Sequence, residues 1–126
     1  MIKGHVDDNL QASVPVALLD RAERRSVLSM IVDTGFNGDL CVSIAEIEKL
    51  DLTFSHSQKF ELGDGSIVAK DVFWGQVIFD NKKLLVKVLV SDSSDTLIGA
   101  ALLANKKLEV DYPNKAVRIK NSRKKK

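Results

Sequence analysis

The stretch "SMIVDTGFNGDL", Ser29 to Leu40, brings an apolar run to an abrupt end at Asp33-Thr34-Gly35. Asp and Gly are turn residues, so a plain β-turn accounts for the tripeptide. By average residue usage, such a tripeptide arises by chance in about one or two chains per hundred of this length. The context says more than the tripeptide. A carboxylate delivered directly from an apolar strand is drawn partly out of water, and acid–base chemistry uses carboxylates in such places.

The 126 residues fit one domain, assigned to residues 1–120, with a basic tail over 121–126. At 44% hydrophobic and 29% charged, the chain has the balance of a packed globular core. A net charge of only +2 does not call for a nucleic-acid partner, and much of the excess sits in the terminal "SRKKK". Adjacent cations repel, which favours a solvated tail there. One cysteine, Cys41, excludes an internal disulfide. No secretory-type apolar leader is apparent, so a cytoplasmic location is expected. No apolar run approaches the roughly 18 residues that a membrane span needs.

Outward from Asp33 the pattern is mostly short strands. Gln11 to Asp20 and Arg25 to Asp33 read as a hairpin around the charged "DRAERR" turn. Leu40 to Ser43 is a short third strand. In "SIAEIEKL", Ser43 and Glu46 stand at capping-box spacing, and Ile44, Ile47 and Leu50 share a face. The spacing predicts a helix over Ile44 to Leu50. Gln58 to Leu62 and Ser66 to Phe79 form a second hairpin around Gly63-Asp64-Gly65. Lys82 to Val90 is an apolar strand after a turn at Asn81. "TLIGAALLANKK" begins as a strand at Thr96 and predicts a second short helix past Gly99. "KLEVDYPNKAVRIK" closes the chain as a hairpin with Pro113 in its turn. The expectation is an all-β, mainly antiparallel fold with two short helices.

Three pieces, in this order, resemble the retropepsin-like aspartic proteases: "IVDTGFNG" at Ile31 to Gly38, "ELGDGSIV" at Glu61 to Val68, and "TLIGAALL" at Thr96 to Leu103. The resemblance covers about Gln11 to Lys120. It implies the closed, barrel-like acid-protease fold of the small single-DTG bacterial and archaeal members. It implies that Asp33 is the catalytic aspartate of an endopeptidase. Thr34 then locks the two active-site loops of a dimer together, and Gly35 lets backbone approach the carboxylate. Leu62, Gly63, Asp64, Gly65 and Ser66 correspond to the flap that closes over a bound peptide. Phe36 and Asn37 continue the active-site loop, and Ile98 with Gly99 forms the apolar-Gly element beneath it. Phe36, Asn37, the flap residues and Ile98 are thus the candidate substrate-binding set. No metal or other cofactor is implied.

Water attack in this chemistry uses two facing carboxylates that share one proton. The chain has one "DTG", so the second carboxylate must come from another copy. A homodimer acting on a peptide or protein substrate is expected, with Asp33 of each copy at the two-fold axis. The alternative is a non-catalytic dimerisation or peptide-binding module on the same fold.

The sequence departs from the family pattern in three places. Phe36 replaces a small residue; it cannot hydrogen-bond the carboxylate, it narrows the adjacent subsite, and activity reaching toward neutral pH is expected. Ala100 and Ala101 stand where retroviral members carry an arginine and then a polar residue, so that arginine's ion pair is missing from the dimer. The flap is short and has few glycines. Elsewhere the bland readings win. His5 and His56 lie in polar stretches, Cys41 reads as a buried inert thiol, and "SDSSD" lacks the glycine and final glutamate of a calcium loop.

Overall fold

A computed structural model describes residues 1–123. Its elements are β1 (Ile2–Val6), β2 (Ala12–Leu19), β3 (Arg25–Asp33), β4 (Leu40–Ser43), α1 (Ile44–Leu50), β5 (Thr53–Glu61), β6 (Ile67–Phe79), β7 (Lys82–Ser91), β8 (Leu97–Gly99), β9 (Lys106–Asp111) and β10 (Ala116–Asn121). Six strands close into a barrel in the order β2-β3-β8-β4-β7-β6, with β6 returning to β2. The strands β1, β10 and β9 continue outward from β2, and β5 extends outward from β6.

Shared edges make this possible. One edge of β2 pairs with β1 at Ala12 and Ser13, then with β6 from Ala17 to Leu19. Pro15, which has no N–H to donate, falls where that edge passes from one neighbour to the other. The 13-residue β6 is divided in the same way: Ile67 to Trp74 pair with β5, and Gln76 to Ile78 pair with β2. Val72 to Trp74 pair with β7 as well, so it is the part of β6 from Ile67 to Asp71 that stands out from the barrel with β5 as a hairpin.

Alternation fills the interior. Val14, Val16 and Leu18 of β2 point inward and meet Met30, Leu40, Val42, Val77, Val88 and Ile98 in one cluster. Burying each such side chain stabilises the fold by about 1.5–3 kcal/mol. Helix α1 covers one side of the barrel with Ile47 and Leu50. Its bounds are those the spacing predicts. The Ser43 hydroxyl accepts from the Glu46 N–H at 3.3 Å, as a cap should. The reciprocal half of the box is not made: Glu46 Oε2 is buried without a partner among the described residues.

Two expectations about elements need correction. The second helix does not form. Strand β9 begins at Lys106, which leaves six residues after Gly99. They fold as successive turns, with i to i+3 bonds from Leu103 to Ala100 and from Lys106 to Leu103. With the chain committed to β9 at Lys106, the tighter i to i+3 turns take up this short segment. Strand β10 also runs through Asn121, one residue into the stretch assigned to the basic tail. Of that stretch, Lys124 to Lys126 lie outside the described residues. Among the described residues no helix is long and apolar enough to cross a membrane.

Candidate active site

Asp33 ends β3, and β8 is the reason it ends there in a fixed place. The short β8 lies between β3 and β4, parallel to the first and antiparallel to the second, pairing Asp33 with Gly99 and Leu40 with Ile98. The loop from Thr34 to Asp39 must therefore turn across the end of β8. Three successive N–H groups of that end hold it: Gly99 donates to the Asp39 carbonyl at 2.9 Å, Ala100 to Phe36 at 2.8 Å, and Ala101 to Gly38 at 3.2 Å. The end of β8 thus fixes the loop that follows Asp33. A Cβ on Gly99 would stand 2.1 Å from the Gly38 carbonyl oxygen, so only glycine lets the loop lie this close.

Within the loop the carboxylate is also held. Gly35 N–H donates to Asp33 Oδ1 at 3.0 Å, and Phe36 N–H to the Asp33 carbonyl at 3.2 Å. Asp33 itself is half-buried, while Thr34 and Gly35 are exposed. The second carboxylate of the loop, Asp39, is otherwise engaged: its Oδ2 accepts from the Lys87 N–H of β7 at 3.0 Å.

The β5–β6 hairpin faces this loop across a cleft of about 770 Å³. Asp33, Gly35, Phe36 and Asn37 line it from the loop, and Phe60, Glu61 and Leu62 line it from the hairpin. The hairpin tip is a tight turn in which Gly65 N–H donates to the Leu62 carbonyl at 2.9 Å. Gly65 has φ +85°, which glycine adopts without steric cost. The Asp64 carboxylate accepts from both the hydroxyl and the N–H of Ser66, and these bonds hold its pKa below the ordinary value.

The candidate residues thus divide. The cleft brings together Asp33, Gly35, Phe36, Asn37 and Leu62. Gly63, Asp64, Gly65 and Ser66 form the exposed tip beyond it. Ile98 was expected against substrate, but it is fully buried and supports the loop from the core side. Cys41 was expected to be buried and instead is half-exposed in the cleft wall. Desolvation raises its thiol pKa, which disfavours the thiolate and fits an inert role. Gln58, Phe60 and Lys70 also line the cleft, although none was among the expected site residues. Their signal was strand alternation: Gln58, Phe60 and Leu62 are spaced by two, and Gln58 pairs with Lys70.

A closed six-stranded barrel with an Asp-Thr-Gly loop crossing a short apolar-Gly strand is the fold of the retropepsin-like aspartic proteases. The chain is similar to the crystal structure of a retropepsin-like aspartic protease from Rickettsia conorii, with a TM-score of 0.68 over 93% of this chain and 87% of that one. Sequence identity over the match is 15%, so the likeness speaks for the fold. No family model matches the sequence, and neither does any curated protein.

Proposed function

We propose that the protein is a homodimeric aspartic endopeptidase. The observation that carries the reading is the Asp33 carboxylate, fixed at the end of β3 and opening into a cleft of about 770 Å³. A peptide bound in extended form beneath the β5–β6 hairpin would add main-chain hydrogen bonds as an extra strand. The hairpin then serves as the flap.

One chain supplies half of the chemistry. Asp39 is occupied by the Lys87 N–H, and the chain has a single DTG, so a second Asp33 must come from a two-fold related copy. At short range two carboxylates share one proton, because both cannot ionise together. The ionised one takes a proton from water as the oxygen attacks the peptide carbonyl carbon. The protonated one gives its proton to the carbonyl oxygen, producing a neutral tetrahedral diol. As the C–N bond breaks, one hydroxyl of the diol gives its proton to the ionised carboxylate and the protonated carboxylate gives its proton to the leaving amine, which restores a pair sharing one proton. Thr34 is exposed beside Asp33, and in the dimer its hydroxyl would cross to the partner's loop.

Asp33→Asn tests the reading. The variant should keep the fold and the dimer by circular dichroism and sedimentation, and should lose cleavage of a peptide library by at least about a thousandfold, a loss of the size seen when a group acting only in the transition state is removed. Retained cleavage would remove Asp33 from the mechanism. Peptide binding without cleavage in the parent protein would leave a peptide-binding module.

A further inference from the structure

The cleft beside Asp33 has an apolar wall and is lined by two lysines. Phe36, Phe60 and Leu89 supply the apolar surface. Of the two lysines that line the cleft, Lys87 has its ammonium 6.0 Å above the Trp74 ring. Lys70 stands on β6 opposite Gln58, which lines the same cleft. Its side chain is only 21% exposed, and it is paired at 2.8 Å with Asp92, which is 92% exposed. A pair formed with a fully solvated loop acid contributes little and exchanges readily. Lys70, Cys41 and Asp33 all line this one cleft.

We propose that Lys70 makes this cleft select peptides with an acidic side chain close to the scissile bond. The inference rests on the proteolytic reading above. A substrate carboxylate entering beside Phe60 would take the place of Asp92, which returns to water. In the covered cleft the new pair is less screened than the rim pair it replaces. The acids that face the same space do not cancel the effect. Asp39 is bonded to a backbone N–H, Glu61 is exposed at the mouth, and the Asp33 pair would carry a single charge.

The test uses peptides identical except for Glu, Gln or Lys at each position flanking the cleaved bond, read by kcat/KM and, separately, by binding in fluorescence anisotropy. The parent protein should favour Glu over Gln by about tenfold at one position, a typical gain for a partly covered charged hydrogen bond. Lys70→Met should bring that ratio close to one, and Lys70→Glu should turn it in favour of Lys. Lys59→Met, on the exposed part of the same hairpin, should leave the ratio as it was. Equal use of Glu and Gln by the parent protein, or a preference that survives Lys70→Met, overturns the proposal while leaving proteolysis intact. If nothing is cleaved but binding still favours Glu in a Lys70-dependent way, the proteolytic reading fails and the acidic preference stands. Binding indifferent to charge overturns the preference in either case.

Discussion

Phe36 and the two glycines around it show how one residue sets its neighbours. The nearest atoms that a Cβ on Gly38 would meet all belong to the Phe36 ring, Cζ at 2.6 Å first. A Cβ on Gly99 would meet that ring too, but also the Gly38 carbonyl oxygen at 2.1 Å and the Phe36 carbonyl oxygen at 2.8 Å. The two clashes differ in kind, because a ring can be removed and backbone cannot. Gly38→Ala should lose about 1–3 kcal/mol, the usual range for overpacking, and the loss should largely vanish in a Phe36→Ser background. Gly99→Ala should lose more than about 3 kcal/mol or fail to fold, and Phe36→Ser should not rescue it. Urea unfolding of the four-member cycles measures both, and additive losses at Gly38 would show that the ring is not the obstacle. The large residue after the DTG was plain in the sequence. Its accommodation by Gly38 was not, because the contact depends on the loop folding back on itself.

At the scale of elements, the β5–β6 hairpin behaves as a unit because, among the described residues, β5 pairs only with β6. Its ladder runs from Thr53–Trp74 to Glu61–Ile67, and its tip side chains are exposed. Such an element opens locally, without the barrel unfolding. Gly65→Ala places a Cβ at φ +85° and should cost about 1 kcal/mol. Amide hydrogen exchange should therefore quicken about fivefold over Lys59 to Val68, since 1 kcal/mol is near that factor, while barrel amides such as Met30 and Val88 keep their rates. Faster exchange throughout the barrel would mean that the hairpin is not separable. The hairpin, α1 and the strand of the DTG were all legible, since each has a period or a turn residue that local physics reads directly. Strand β1 was not, because "IKGHV" has little alternation of its own. It forms because β10 and β2 offer two edges, with Gly4 so close to Ser13 that a Cβ would meet its carbonyl oxygen at 1.9 Å. The failed helix after Gly99 shows the converse, with a helix-prone sequence overridden by the strand that follows.

At the scale of the molecule, the barrel and its outer strands are tied at Asp80, in the β6–β7 turn. Its carboxylate accepts from Lys106 of β9 at 2.9 Å and from the amine of Met1 at 2.9 Å, and these bonds, that of Lys106 first, lower its pKa from 3.8 to about 2. A carboxyl whose pKa is depressed by folding contributes stability that is complete above its unfolded value and fades as pH falls through the folded one. The melting temperatures of the parent protein and of Asp80→Asn should differ by a constant amount above about pH 5, converge between about pH 4 and 2, and meet below that. A gap that persists at pH 2 would assign the effect to packing instead. The same scale decides the active site. If Asp33 needs its counterpart from a second copy, the catalyst is the dimer, and its concentration follows the square of the monomer's at high dilution. The fold supplies no arginine after Gly99 to brace that dimer, since Ala100 stands there with its N–H bonded to Phe36. Dissociation should therefore fall within reach of an assay. Specific activity should be constant at high protein concentration and should fall in proportion to concentration once sedimentation shows mostly monomer. Addition of inactive Asp33→Asn chains should then depress it further by forming mixed dimers with one functional carboxylate. Constant specific activity across that dissociation, unmoved by the inactive chains, would place the whole site within one chain and remove the shared proton from the mechanism.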